Sequence, residues 1–363
     1  MRSKLLTLPY LLLLLPFDLI VALALFVSLW GGPRGGRPLA KTQKADSTKV
    51  TIIIVSWDGK HLLEECLPAV VEAANQSGGN HDILVVDNGS TDGSVEFIRQ
   101  SFPCVRVLPL DQNYGFIGGN NRGIAAVQTD IVVLLNNDMI VDRAFLRPLL
   151  DGFHDPSVFA VTSQIFFADS GRRREETGKT RARFENGAFY HWHDDIGDDD
   201  ARATIPVFWA GGGSCAIDRR KYLEIGGFDS LYRPFYVEDV DLSYQAWKRG
   251  WKCLLAPASH VVHKHRSTTR KFGPDFVENT IRKNQYLFIW KNVTDISMVL
   301  EHMVNLPRLH ARAILNQTPA FEVRAFFRAL RQLPEALRQR SYSAGHYVFS
   351  DREVLARSQK AQF

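Results

Sequence analysis

Between residues 50 and 138 the chain repeatedly runs through a stretch of apolar, mostly β-branched residues and then stops on Asp or Asn. Val50–Trp57 reads VTIIIVSW, Asp82–Asp87 reads DILVVD, and Ile131–Leu135 reads IVVLL before Asn136-Asn137-Asp138. Runs without polar alternation belong to strands covered on both faces, as in parallel sheets flanked by helices. Val105–Pro109 supplies a further strand. Helical stretches fall between the strands: His61–Ala74, a segment capped by Ser90, Thr91 or Asp92 and reaching Gln100, and Gly118–Gln128. This alternation predicts an α/β fold, a doubly wound, mostly parallel sheet with helices on both faces. Ligands of such sheets bind beyond the carboxyl ends of the strands. Asp58, Asp87-Asn88, Asn113 and Asp138 all fall there. Turn chemistry alone explains any one of them; four together point to a polar site.

The 363 residues are 45% hydrophobic and 23% charged, which suits about two packed units and excludes disordered, collagen-like and coiled-coil classes. A net charge of +5 is too slight to argue for nucleic acid. Cys66, Cys104, Cys215 and Cys253 form no CxxC pair, so neither a zinc ribbon nor a disulfide scaffold is indicated. No GxGxxG follows the first strand, and no Walker A sequence is present.

Residues 5–30 carry a single charge, Asp18. As a helix they would extend about 39 Å against a hydrocarbon core of roughly 30 Å, so one tilted transmembrane span is the leading reading. Pro9, Pro16 and Asp18 leave room for a re-entrant or interfacial element. Arg2 and Lys4 precede the segment, whereas Arg34, Arg37, Lys41, Lys44 and Lys49 follow it. That bias puts the globular body on the cytoplasmic side of the cell membrane. Residues 31–49, rich in Gly, Pro and basic side chains, read as a linker able to touch anionic lipid.

Five ordered blocks carry a family resemblance. VTIIIVSW, ILVVDNGSTDGS, NYGFIGGNNRGI and VVLLNNDMIV resemble the nucleotide-sugar half of a family 2 glycosyltransferase with a GT-A fold. GGGSCAIDRRKYLEIGGFDSLYRPFYVEDVDLSYQAWKRGWK and then VVHKHRST resemble its acceptor half. The bacterial rhamnosyltransferase-like branch is the nearest in pattern. The expected organisation is a membrane anchor (1–30), a linker (31–49), a catalytic domain (50–290, divided at 142/143) and C-terminal amphipathic helices (291–363).

The resemblance implies a nucleotide-sugar donor, a lipid-linked or glycan acceptor, and a divalent metal, Mg²⁺ or Mn²⁺, on oxygen-rich ligands. It implies Asp138 as a metal ligand, although the usual two-carboxylate motif here reads Asn136-Asn137-Asp138. It also implies His263 as a second ligand, with His265 as a nearby competitor. Asp239 is the implied base, and Glu238 orients or tunes it; adjacent carboxylates repel, which raises one of their pKa values. Both also suit the first turn of a helix, as does Asp241. Ser56, Asp87, Asn113, Gly118, Gly119, Asn120, Arg122 and Asn137 correspond to donor-binding positions. Trp209, Gly212 and Gly213 fall in the acceptor-side block. An exposed Trp209 would stack on a sugar, whereas a buried one would fill core, and the sequence leaves both open.

The polar insertion 168–204 reads as a mobile loop or lid. His191, His193, Asp194 and Asp195 within it lack a diagnostic metal spacing. From Ile281 onward, arginines interleave with apolar residues, which suits either an anionic lipid surface or helices folded back on the domain. The expected activity is inverting, metal-dependent transfer of a sugar, dTDP-rhamnose or a UDP-sugar serving as donor. The alternative is a degenerate module that binds a nucleotide sugar or glycan without turnover.

Overall fold

The structure is a computed structural model that describes residues 2–29, 43–168, 175–196, 203–264 and 272–359. His265, Arg172–Arg174 and most of the 31–49 linker lie outside the described residues.

A long helix α1 (Arg2–Ser28) precedes the α/β body. The body opens with β1 (Val50–Ser56), α2 (Lys60–Gln76), β2 (Asp82–Asp87), α3 (Ser94–Ser101), β3 (Arg106–Pro109), α4 (Gly115–Ala125) and β4 (Ile131–Asn136). It continues with β5 (Met139–Val141), α5 (Leu146–Asp151), β6 (Val158–Phe167) and β7 (Glu175–Thr177). Next come β8 (Lys179–Glu185), β9 (Ala188–Asp194), β10 (Ile205–Pro206) and β11 (Ser214–Asp218). The last part of the body is α6 (Arg219–Ile225), α7 (Glu238–Lys248) and β12 (Lys252–His263).

The main sheet has the order β3-β2-β1-β4-β11-β6-β12-β10, with β5 on β12 and β7 on β6. β1 to β4 are mutually parallel, as the unbroken apolar runs require; β11 enters antiparallel between β4 and β6. Alternate side chains feed two cores: Ile53 packs on one face of β1, and Ile52 and Ile54 on the other. Ser56 lies opposite Asp87, and Val55 opposite Asn136, so the carboxyl ends of β1, β2 and β4 finish level. That register builds the polar edge.

Two expectations shift. The helix expected at Gly118–Gln128 instead spans Gly115–Ala125. Gly115 adopts φ +71, and its N–H donates to Asn113 Oδ1 (2.8 Å), so the turn closes three residues early. The second shift concerns the insertion expected to be a loop. Within it, β8 and β9 form an antiparallel hairpin in register from Lys179↔Asp194 to Glu185↔Ala188. Asn186 (φ 52) and Gly187 (φ 74) make its two-residue turn, the strongest short hairpin signal a sequence offers. Phe189 anchors the hairpin between Phe208, Tyr244 and Phe288.

The C-terminal region folds back as α8 (Pro274–Asn292), α9 (Ile296–Asn316), α10 (Pro319–Leu330), α11 (Leu333–Ala344) and α12 (Asp351–Arg357). Arg282 and Arg340 are used internally, on Glu322 and on the Trp290 carbonyl. Arg308, Arg312, Arg324, Arg331 and Arg338 stay exposed. α1 packs along α9 and touches α10 and α11.

Candidate active site

At the donor edge, Asp87 is buried at the end of β2. One carboxylate oxygen accepts from Ser90 N–H (3.2 Å); the other, Oδ1, has no donor in reach among the described residues. A buried acceptor without a partner is costly unless something arrives to satisfy it. Asn88 next to it shapes the following loop: its side chain donates to Asn113 Oδ1 (3.0 Å) and accepts from Tyr114 N–H (2.9 Å). Arg122 lays its guanidinium 3.3 Å over the Tyr114 ring and donates to the Gly118 carbonyl (3.2 Å). This fixes a cation in α4 beside the Asn113 loop.

Several expected donor residues have other work. Asn137 donates to Ser56 Oγ (2.8 Å), joining the ends of β4 and β1. Gly118 and Gly119 admit the close approach of α4: a Cβ would meet Tyr114 Cβ at 2.6 Å in the first and Val55 Cγ1 at 2.6 Å in the second. Asn120 is buried and bonds back to the Phe116 carbonyl (3.0 Å), so its side chain is not presented to a donor. Asp58 accepts from Thr91 N–H (2.8 Å) and holds the first two strand-end loops together.

At the end of β4, Asp138 Oδ2 lies 3.1 Å from His263 Nε2. The sheet explains why residues 125 positions apart meet. β5 pairs antiparallel with β12, which sets Met139 opposite His263. Both side chains retain slight exposure, 9% for Asp138 and 12% for His263. The pair fits a hard divalent cation. An octahedral site with bonds of about 2.1 Å has cis edges of about 3.0 Å, close to the 3.1 Å observed. Among the described residues no cluster of three or more His, Cys, Asp or Glu side chains gathers, so substrate oxygens and water would complete the shell.

The Glu238-Asp239 pair opens α7, and the backbone before it is strained. Tyr236 (φ 69) and Val237 (φ 76) both sit in the left-handed region, unusual for an aromatic and especially for a β-branched residue. α8 splints that segment. Asn284 Nδ2 donates to the carbonyls of Tyr232 (3.0 Å), Phe235 (3.0 Å) and Tyr236 (2.8 Å), and Lys283 Nζ to that of Arg233 (3.0 Å). Lys291 ties down Asp229 (2.8 Å) and Asp241 (2.7 Å), which makes Asp241 an anchor of the loop.

The two carboxyls face different partners. Glu238 is buried, and its Oε2 meets no donor among the described residues. Desolvation and the adjacent Asp239 push its pKa well above the usual carboxylate range. Asp239 accepts from Gly212 N–H (3.2 Å) and Val240 N–H (2.8 Å). Burial raises its pKa too, opposed by those two amides. Amide donors favour the charged form, so Glu238, which lacks them at Oε2, is pushed up more strongly than Asp239.

Gly211–Gly213 joins the two ends of the site. Gly213 O accepts from Asn136 N–H (2.8 Å), and Gly212, one residue earlier, holds Asp239 through its N–H. Asp138 is two residues beyond Asn136. The glycine segment therefore ties the strand that leads to Asp138 to the helix start that carries Asp239. A Cβ on Gly212 would stand 3.2 Å from Phe116, and on Gly213 3.1 Å from Asn136 and Met139, so the glycines set this spacing.

The sequence model of Glycosyl transferase family 2 matches residues 51–226. The chain carries a family 2 glycosyltransferase domain. It is 28% identical over 229 residues to the N-acetylglucosaminyl-diphospho-decaprenol L-rhamnosyltransferase of Mycobacterium tuberculosis, covering 57% of this chain and 74% of the relative. A pre-mycofactocin glycosyltransferase from that organism is 28% identical over 193 residues, 52% of this chain and 38% of its own. Among solved structures, GalNAc-T7 with UDP, GalNAc and Mn²⁺ superposes with a TM-score of 0.56 at 16% identity, covering 79% of this chain and 56% of that one. S. aureus TarS (residues 1–349) gives 0.52 at 11%, covering 82% and 83%. These likenesses show the GT-A fold, and the chain is a glycosyltransferase.

In this glycosyltransferase Trp209 is buried, with His191 and His193 packed at 5.3 and 4.9 Å between ring centroids. It fills core and offers no stacking face, which corrects the acceptor-binding expectation for its side chain. The sequence reading missed Lys283, Asn284 and Lys291 as loop supports. It also missed Asp351, buried under Lys248 (2.7 Å) and Tyr244, which clamps the far end of α7. A buried Lys or Asn on an apolar helix face was the available signal.

Proposed function

We propose that this glycosyltransferase is inverting and metal-dependent, and moves one sugar from a nucleotide diphosphate to a lipid-linked or cell-envelope glycan at the cytoplasmic face of the cell membrane. Support for the lipid-linked acceptor comes from the mycobacterial relative, whose name specifies a decaprenyl diphosphate substrate. Support for a UDP-type donor and Mn²⁺ comes from the contents of the GalNAc-T7 structure. A dTDP-rhamnose donor follows the same mycobacterial resemblance.

Each residue then has a task. Asp87 accepts a hydrogen bond from the nucleotide through its open Oδ1, and Arg122 offsets diphosphate charge. Ser56 and Asn137 floor the donor cleft, and Asn113 shapes its rim. Asp138 and His263 would hold the ion. When bound, that ion neutralises charge growing on the departing diphosphate. Asp239 takes the proton of the acceptor hydroxyl while that oxygen bonds to the anomeric carbon and the carbon–diphosphate bond breaks on the opposite face. One displacement inverts the centre. Glu238, holding its proton, keeps a second negative charge away from the base. Gly212 fixes the base through its N–H.

The glycine bridge supports this reading, because Gly213 bonds the end of β4, two residues before Asp138, while Gly212 bonds the proposed base Asp239. The test is a screen of nucleotide sugars with full-length protein on native membrane lipids, with and without Mn²⁺, read by mass spectrometry. Transfer of a deoxyhexose or hexose to a lipid, dependent on the metal and with the anomer inverted, is the expected result. Nucleotide binding without transfer under every condition would favour the binding-module reading instead.

A further inference from the structure

α1 has two faces of different kinds. Leu14, Asp18, Val21 and Leu25, spaced by four, three and four, are buried against the C-terminal helices. Leu8, Leu12, Leu15, Leu19, Leu23 and Val27 are exposed on the other side. Residues 8–28 contain no charge except Asp18, and Asp18 points inward. Its carboxylate lies 2.8 Å from His310 Nε2. His310 Nδ1 meets Glu322 (2.7 Å), and Glu322 takes both Nε and Nη2 of Arg282 (2.9 and 3.0 Å). Phe17 adds an edge-on contact with Phe327 at 4.7 Å. α1 is thus fastened through its middle to helices that belong to the catalytic body.

This fastening bears on how the helix meets lipid. Leu14 to Leu25 lie against protein for about 16 Å of a helix whose apolar part is about 31 Å long. If α1 crossed a bilayer at a steep angle with these contacts kept, Glu301, Arg308 and Arg312 of α9 would be carried to hydrocarbon depth. If it crossed alone, Asp18 would enter hydrocarbon and leave His310 and Glu322 buried without it. Either arrangement puts unpaired charge where it is least tolerated.

We propose that α1 lies in the plane of the membrane surface, clamped to the body by Asp18–His310, with the bilayer covering its outer face; this rests on the membrane attachment proposed above. α9 extends the same surface. Ile296, Leu300 and Val304, the last 79% exposed, form a ridge at four-residue spacing that continues as Arg308 and Arg312. Apolar residues giving way to arginines along one ridge match the passage from acyl chains to anionic headgroups. A protein partner would find few polar groups here to fix its register. Held this way, the N-terminus and the catalytic body share one side of the membrane.

Cys104 is exposed on the body and the other three cysteines are buried, so one native thiol already reports the body's side. The experiment labels Cys104 in the full chain, and Ser3→Cys in a Cys104→Ser background, with a membrane-impermeant maleimide on sealed right-side-out and inverted vesicles. Both sites reacting in the same vesicle orientation is the expected result. Reaction from opposite faces overturns the in-plane arrangement and leaves the anchor intact. Failure to sediment with vesicles removes the membrane attachment together with it. A second variant, Val304→Glu, should lower binding to vesicles containing anionic lipid about tenfold with transfer to a soluble acceptor unchanged. Unchanged vesicle binding, or conversion of a dimer to a monomer in detergent, would show that this ridge faces something other than lipid.

Discussion

The strand-end site and the C-terminal helical layer both bury charge, but they finish it differently. In the helical layer the buried carboxylates are met by cations. Lys291 sits between Asp229 and Asp241, Lys248 meets Asp351, and Glu322 is gripped by Arg282 and His310. At the candidate site acceptors are left open: Asp87 Oδ1 at the end of β2 and Glu238 Oε2 at the start of α7 have no donor among the described residues. The contrast separates architecture from chemistry. A closed network spends its electrostatic energy holding helices, whereas an open one keeps it for a ligand or a proton.

The most severe way to break the contrast is Asp239→Asn. The amide keeps the shape and the contact with Gly212 but cannot take a proton. Turnover should fall by about 10³ to 10⁴-fold with unchanged thermal unfolding, measured by initial rates and calorimetry on the same preparation. Retained turnover would remove Asp239 as the base. Lys291→Met attacks the closed side. It strands two buried carboxylates, so stability should drop by about 3–5 kcal/mol, read by denaturant unfolding, with activity declining only as folded protein is lost. The pH sign agrees. Asp241 and Asp229 raise the Lys291 pKa above its ordinary value, so this stabilisation is complete below about pH 10.4 and disappears as pH rises through the folded-state value.

Asp138→Ala should cost about 3 kcal/mol of transition-state stabilisation, roughly 10²-fold in kcat/KM, and flatten the response to Mn²⁺ in a metal titration. An unchanged metal response would take Asp138 out of the ligand set. The pair with His263 also shows what a sequence can and cannot disclose. Asp138 was legible because a strand end in a parallel sheet is a site by topology. The 3.1 Å approach of His263 depends on β5 pairing with the far end of β12, a contact no local pattern encodes. The parallel half read well for the same reason: its strands are continuous apolar runs, as in β2, found at Asp82–Asp87 as expected. The β8–β9 hairpin was readable from Asn186-Gly187 and the alternation of Thr180 and Ala182, but its density of charge outweighed that signal. Burial decides Trp209, which the sequence left open, and Asn120 turns its side chain onto the Phe116 carbonyl; motif position says nothing about which way a side chain turns. Asn284 was overlooked because its partners are carbonyls some 50 residues earlier, set by tertiary packing alone.

The smallest expected effect sharpens the comparison most, because it tests where one proton rests. If Glu238 carries the proton in the working enzyme, Glu238→Gln replaces a neutral acid by a neutral amide of nearly the same shape. Asp239 then sees no change in nearby charge. The acid limb of the kcat/KM profile should stay in place, above the ordinary aspartate value because burial raises Asp239, and the rate near neutrality should remain within about threefold. If Glu238 were ionised instead, removing its charge would let Asp239 ionise more easily and move that limb to lower pH. The same substitution would then weaken the base and slow the reaction. The Asp239→Asn variant cannot distinguish these states, since it abolishes turnover in both. Only the position of the acid limb reports whether the unpartnered Glu238 oxygen belongs to an acid held in reserve or to a second charge.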